Sequence, residues 1–115
     1  MTQEQISLLK QLLSTSKLLL NLTNNLNSVE EFENNNYVFD NILSNVAVIY
    51  ELSQKLPQKL KTKELNSIDW QKIDYYEKII RNDTHQLDTK TIWIAIKQDL
   101  PFFTEKLEKI LAKFE

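Results

Sequence analysis

Apolar residues recur at steps of three and four from Thr2 onward, at Ile6, Leu9, Leu12, Leu13, Leu19, Leu20 and Leu22. That spacing keeps them on one side of a helix and predicts a first helix ending near Asn24-Asn25. Ser28, followed three residues later by Glu31, reads as a capping box that opens a short helix. The run from Tyr37 to Leu56 places Phe39, Ile42, Leu43, Val46, Ile49 and Tyr50 on one stripe and predicts the main core helix. Pro57 stops it, because proline lacks an amide donor and restrains the residue before it. Lys55, Lys59, Lys61 and Lys63 then read as a polar connection.

A second capping serine, Ser67, precedes a segment whose Trp70, Ile73, Tyr76, Ile79 and Ile80 form another buried face. Arg81 stands at its end. Asn82 and Asp83 form helices poorly, and Asp88-Thr89 resembles a new N-cap, so 82–88 read as a turn. Beyond it Ile92, Ile96, Leu100, Phe103, Leu107, Ile110, Leu111 and Phe114 continue the helical period. Pro101 sits among them as a first-turn residue after Asp99, and a kinked or broken final helix is expected. The fold expected is all-α, an antiparallel bundle of four to five helices.

The chain has 115 residues, which bounds it to one domain, 1–115, with a single modest core that self-association would enlarge. With 42% apolar and 26% charged residues it has a globular composition, and a net charge of -2 confines any nucleic-acid contact to a local patch. The absence of glycine excludes phosphate-cradling loops and dinucleotide fingerprints, which need a backbone without Cβ. It also excludes a nucleophile elbow. With no cysteine and one histidine there is no thiolate nucleophile, no disulfide and no conventional zinc set. No cofactor is expected. Met1-Thr2-Gln3-Glu4-Gln5 is not the start of a secretory signal, and no run reaches the ~18 apolar residues of a membrane span, so a cytoplasmic location without membrane contact is expected.

The chemistry that remains is concentrated at the only arginine, Arg81, and the only histidine, His85. A guanidinium forks onto phosphate oxygens, and an imidazole exchanges its proton near neutrality. Arg81 and His85 are therefore the candidate catalytic pair for RNA cleavage. Asn82 and Glu51 are candidate supporting residues, the first as an amide donor, the second as an orienting acid for Arg81. Lys55, Lys59, Lys61 and Lys63 are weaker candidates for RNA contact. Trp70 and Trp93, spaced with isoleucines, read as packing residues.

Four pieces occur in a telling order: Glu30-Glu31-Phe32; Ile49-Tyr50-Glu51-Leu52-Ser53; Trp70 with Arg81-Asn82 and His85; and Ile92-Trp93 with Asp99-Leu100-Pro101. Across roughly residues 28 to 110 this resembles the HepT-like family of the HEPN (higher eukaryotes and prokaryotes nucleotide-binding) superfamily. The resemblance implies a helical bundle that forms a two-fold homodimer, with paired Arg and His motifs lining a cleft that cuts RNA without metal. It also implies a toxin paired with a small nucleotidyltransferase antitoxin.

The chain departs from the family pattern in three places. Three residues separate Arg81 from His85 where the family has four to six, Leu87 replaces a tyrosine that the antitoxin modifies, and Tyr50 replaces a glycine. These departures define an alternative: a catalytically inactive interaction module, or a nucleotide-binding partner of the nucleotidyltransferase.

Overall fold

A computed structural model of the chain describes residues 1–81, the backbone of Asn82 and residues 89–114. The helices in chain order are α1 (Gln3–Thr23), α2 (Val29–Asn34), α3 (Asn36–Gln54), α4 (Gln58–Lys63), α5 (Trp70–Asn82), α6 (Thr89–Ile94) and α7 (Leu100–Ala112), with a π-helical turn (Ala95–Asp99) between the last two. There is no strand among the described residues. Four long rods, α1, α3, α5 and the α6–α7 run, make the bundle, and α2 and α4 are short additions.

Local sequence explains most of the boundaries. Thr2 caps α1: its hydroxyl accepts from the Gln5 amide at 3.1 Å while the Gln5 side chain accepts from the Thr2 amide at 3.0 Å. Ser28 accepts from the Glu31 amide at 3.2 Å as expected, but Glu31 reaches one residue further back, to the Asn27 amide at 2.7 Å. Asn35 caps α3 by accepting from Val38. Pro57 ends the preceding helix and then precedes α4, which occupies what the sequence presented as a connection. Proline suits the start of a helix because its missing amide would be unpaired there anyway. Before α5, Asp69 and not Ser67 stands next to the first helical residue.

Pro101 takes the first-turn position expected of it after Asp99, and the interruption of the final helix falls just before it. The chain stays helical from Thr89 to Ala112, and the π-helical turn immediately before Leu100-Pro101 provides the wider backbone spacing there. A proline ring collides with the carbonyl four residues back, here that of Lys97, and one wide turn relieves the collision without breaking the rod.

α1 lies centrally, packed on α3 and on α7, and α5 packs against α3. The α1 and α7 rods run antiparallel, joined by a Lys17–Glu108 ion pair at 3.4 Å and by Lys97, whose ammonium donates to the Thr23 carbonyl at 2.9 Å. Lys97 thereby satisfies a carbonyl at the end of α1. The core is built of Leu9, Leu12, Leu19, Phe32, Ile42, Leu65, Ile92 and Leu107, all essentially without solvent contact. Ser16, Thr23, Ser53 and Thr104 are buried too, each hydroxyl donating to a carbonyl three or four residues earlier. Phe32 stacks on Trp93 with centroids 5.8 Å apart and so pins α2 to α6.

The buried stripe of α3 runs through Val38, Ile42, Ile49 and Leu52, with Phe39, Leu43, Val46 and Tyr50 half-buried beside it. α3 is covered from two sides, by α1 and by α5, so its apolar band is wider than the single stripe of a surface helix. Tyr50 is accommodated in a regular helix, and its carbonyl accepts from Ser53 at 2.7 Å.

Candidate functional site

Arg81 lies in the last turn of α5, where a cation is favoured by the partial negative charge of the helix end. Its Nε is 3.7 Å from an oxygen of Glu77, one turn earlier. The acid-before-base order across one turn is the favourable one. The Arg81 side chain is 57% exposed while that of Glu77 is 13% exposed, so the acid is held against the protein and the guanidinium reaches out to solvent. A guanidinium so placed keeps donors for a phosphate.

His85, Leu87 and Asp88 lie outside the described residues, as does the side chain of Asn82, so one candidate catalytic residue, one candidate supporting residue and the turn expected at 82–88 fall largely outside them. α6 resumes at Thr89, whose hydroxyl donates to Glu33 of α2. Glu51 is exposed on α3. The Gln54 amide donates to Asp74 at 3.1 Å, so the end of α3 meets the first turns of α5. Among the described residues the acid within ion-pair distance of Arg81 is Glu77 and not Glu51.

The lysines divide. Lys55, Lys59 and Lys63 are exposed, whereas Lys61 is buried, with its ammonium 5.4 Å from the centre of the Trp70 ring. Burial holds the Lys61 ammonium below the usual lysine range, and Asp74 partly offsets this. Lys61 is a packing residue that covers an indole face. Lys61 thus sits beside the first turn of α5, about 16 Å along that helix from Arg81.

Both tryptophans pack. Trp70 donates its indole N–H to the Leu65 carbonyl at 3.0 Å and meets Phe103 edge to face at 6.2 Å, and Trp93 lies between Phe32 and the Lys97 ammonium. Tyr75 is exposed beside Tyr76.

A second constellation, which no local pattern in the sequence marks, joins α5 to the π-helical turn. Tyr76 donates its hydroxyl to Asp99 Oδ2, and Lys72 Nζ lies 3.1 Å from Asp99 Oδ1. Burial, then the hydrogen bond to the Asp99 carboxylate, hold the Tyr76 phenol well above its ordinary pKa. Asp99 belongs to the π-helical turn, a local widening often found where a side chain is presented for use. These three groups line an apolar cleft of about 210 Å³ between α5 and the α6–α7 rod, and Arg81 does not line it. The Asp-Leu-Pro junction was visible in sequence as a helix boundary. Its pairing with Tyr76, 23 residues earlier, was not.

Among the described residues no group of three or more histidine, cysteine or acidic side chains comes together as a metal site. No helix among them is long and apolar enough to cross a membrane. Comparison with curated proteins and with solved structures gave no match. The family model described as "Ribonuclease HepT-like" matches residues 3–110, and so takes in all the long rods, Arg81 and the segment carrying His85. With an all-α bundle and nearly the full chain matched, the protein belongs to the HepT-like ribonuclease family.

Proposed function

We propose that this chain is a metal-independent endoribonuclease, the toxin of a toxin–antitoxin pair, with Arg81 and His85 as its catalytic residues. The observation that carries the reading is the family match over 3–110 together with a solvent-facing guanidinium at the end of α5, four residues before the only histidine. The imidazole of His85 takes the proton of a ribose 2′-hydroxyl as that oxygen bonds to phosphorus. A second, protonated imidazole returns a proton to the departing 5′-oxygen as the P–O bond breaks. Such acid–base help contributes roughly 10²–10⁴ in rate. Arg81 neutralises the phosphate oxygens as charge builds on them.

A single Arg–His pair supplies one proton-transfer group, and the reaction needs two. A two-fold homodimer that brings two pairs into one cleft answers that need, since symmetry duplicates every group. The partner in the cell is a nucleotidyltransferase-type antitoxin, and with Leu87 in place of the family tyrosine it neutralises by means other than modifying that position.

The test is cleavage of RNA by purified protein in the presence of a chelator. Arg81→Ala and His85→Ala are each expected to lower the rate by about 10²–10³ while leaving the circular dichroism spectrum and the sedimentation of a dimer unchanged. Full activity in either variant overturns the assignment. The three-residue separation of Arg81 and His85 favours one second reading, a non-cleaving module that binds the nucleotidyltransferase. Harmless expression, no RNA cleavage and tight copurification with that partner would select it.

A further inference from the structure

The cleft between α5 and the α6–α7 rod exists because two helices reach each other through long side chains. Three bridges span the gap: Lys72 to Asp99, Tyr76 to Asp99, and Trp70 to Phe103. Between them the floor is apolar, formed by Leu19, Ile49, Ile73 and Ile96 from four different elements. Leu19, Ile49 and Ile96 are buried, so the floor is part of the core and does not depend on a mobile surface side chain. Phe102, 64% exposed, stands at the rim.

We propose that this cleft is a binding site for a small, neutral aromatic molecule carrying one hydrogen-bond donor, such as a free indole or phenol, with its ring on the isoleucine floor and its donor on Asp99. Size, charge and hydrogen-bonding capacity each select that class. An apolar cavity of about 150 Å³ lined by similar residues holds a benzene, so about 210 Å³ accommodates one ring or a fused pair. Asp69 and Asp99 are matched by Lys72 and Lys106 around the same cleft, and that balance favours a neutral guest over an ion.

Each Asp99 oxygen already accepts one hydrogen bond, from Lys72 and from Tyr76, and a carboxylate offers about four lone-pair positions. The two that remain, on a side chain 27% exposed, call for a donor on the guest. An apolar pocket with a few convergent polar groups, one of them strongly shifted, is the usual form of a small-molecule site. The proposal rests on the cleft alone and is independent of the nuclease reading.

The experiment uses two probes of nearly equal shape, indole and 1-methylindole, of which only the first has an N–H. Amide chemical shifts of the full-length protein are followed as each is added. Indole is expected to shift residues of α5, the π-helical turn and α7, and to bind about tenfold more tightly than 1-methylindole, as a hydrogen bond to a charged acceptor requires. In Asp99→Asn that preference is expected to fall below about threefold. Ala95→Leu, which fills the cleft, is expected to abolish both titrations. If that variant does not fold, the two-probe comparison in Asp99→Asn decides alone.

Shifts that map elsewhere, no binding of either probe at millimolar concentration, or an indole preference that survives in Asp99→Asn would each overturn the proposal. RNA cleavage measured on the same samples reports separately on Arg81 and His85.

Discussion

At its first turn α5 is fixed from several directions: the Trp70 indole donates to Leu65, its edge meets Phe103, Lys61 covers one face, and Asp74 accepts from Gln54. Eleven residues later Arg81 has, among the described residues, one loose ion pair, to Glu77 on the same helix, and more than half of its side chain faces solvent. The same helix thus has an anchored end and a presenting end. Anchoring uses groups from other elements, so it stabilises the fold. Presentation uses a contact within the helix, which steers a side chain and contributes little to stability. A residue that must meet a substrate benefits from the second arrangement, provided the first holds the helix in place.

The contrast is most easily broken at the anchored end. Trp70→Ala removes an aromatic contact, an indole hydrogen bond and the surface under Lys61, and is expected to lower unfolding free energy by about 3 kcal/mol. A urea denaturation curve displaced by less than a third of that would show that α5 is not anchored there.

The middle of the helix gives a smaller effect with a distinctive pH signature. Tyr76→Phe is expected to cost about 1 kcal/mol near neutrality through the lost hydrogen bond to a carboxylate. The folded state holds the Tyr76 proton more tightly than the unfolded chain does. Its contribution is therefore complete below the ordinary tyrosine pKa of about 10 and is lost as pH rises above it. The gap between the wild type and Tyr76→Phe should accordingly narrow from pH 8 to pH 11. A gap that widens would reverse the assigned direction of the shift.

Smallest of all is the expected stability change at the presenting end. Arg81→Ala should alter unfolding free energy by no more than about 0.5 kcal/mol, the usual worth of an exposed pair one turn apart. Set beside the large rate loss expected of the same variant on RNA, that separates a residue kept for contact with substrate from one kept for the fold. A drop in melting temperature as large as that of Trp70→Ala would erase the distinction.

Helix-forming segments were legible because the apolar period is a local property. The leucines of α1 and the Val–Ile–Leu band of α3 can bury themselves in few other ways. Ends capped by a nearby side chain, as at Ser28, were legible for the same reason. Proline was only partly legible. Pro57 marks a stop but also precedes α4, and Pro101 marks a first turn after Asp99 without showing that the interruption before it is a π-helical turn. In both, the residue disfavours one backbone geometry without specifying what lies beside it.

The family-like order of motifs was also readable along the chain, and the match over 3–110 agrees with it. Within the lysine cluster only Lys61 departs from the exposed placement expected, because sequence gives proximity but not side. Lys61 lies two residues from Lys59 and Lys63, and its neighbours at that spacing point elsewhere on a helix, so it alone turned inward onto Trp70.

By itself the sequence determined a glycine-free, cysteine-free helical bundle with one arginine and one histidine close together, because composition and short-range periodicity are read without knowing what packs on what. Only the tertiary structure decided that Glu77 and not Glu51 pairs with Arg81, that Lys61 is interior, and that Tyr76, Lys72 and Asp99 converge over an apolar cleft. The last two outcomes depend on the register between rods, which is set by the summed packing of distant residues and leaves no mark in any short stretch of the chain, whereas the Glu77–Arg81 pair lies one turn apart on a single helix.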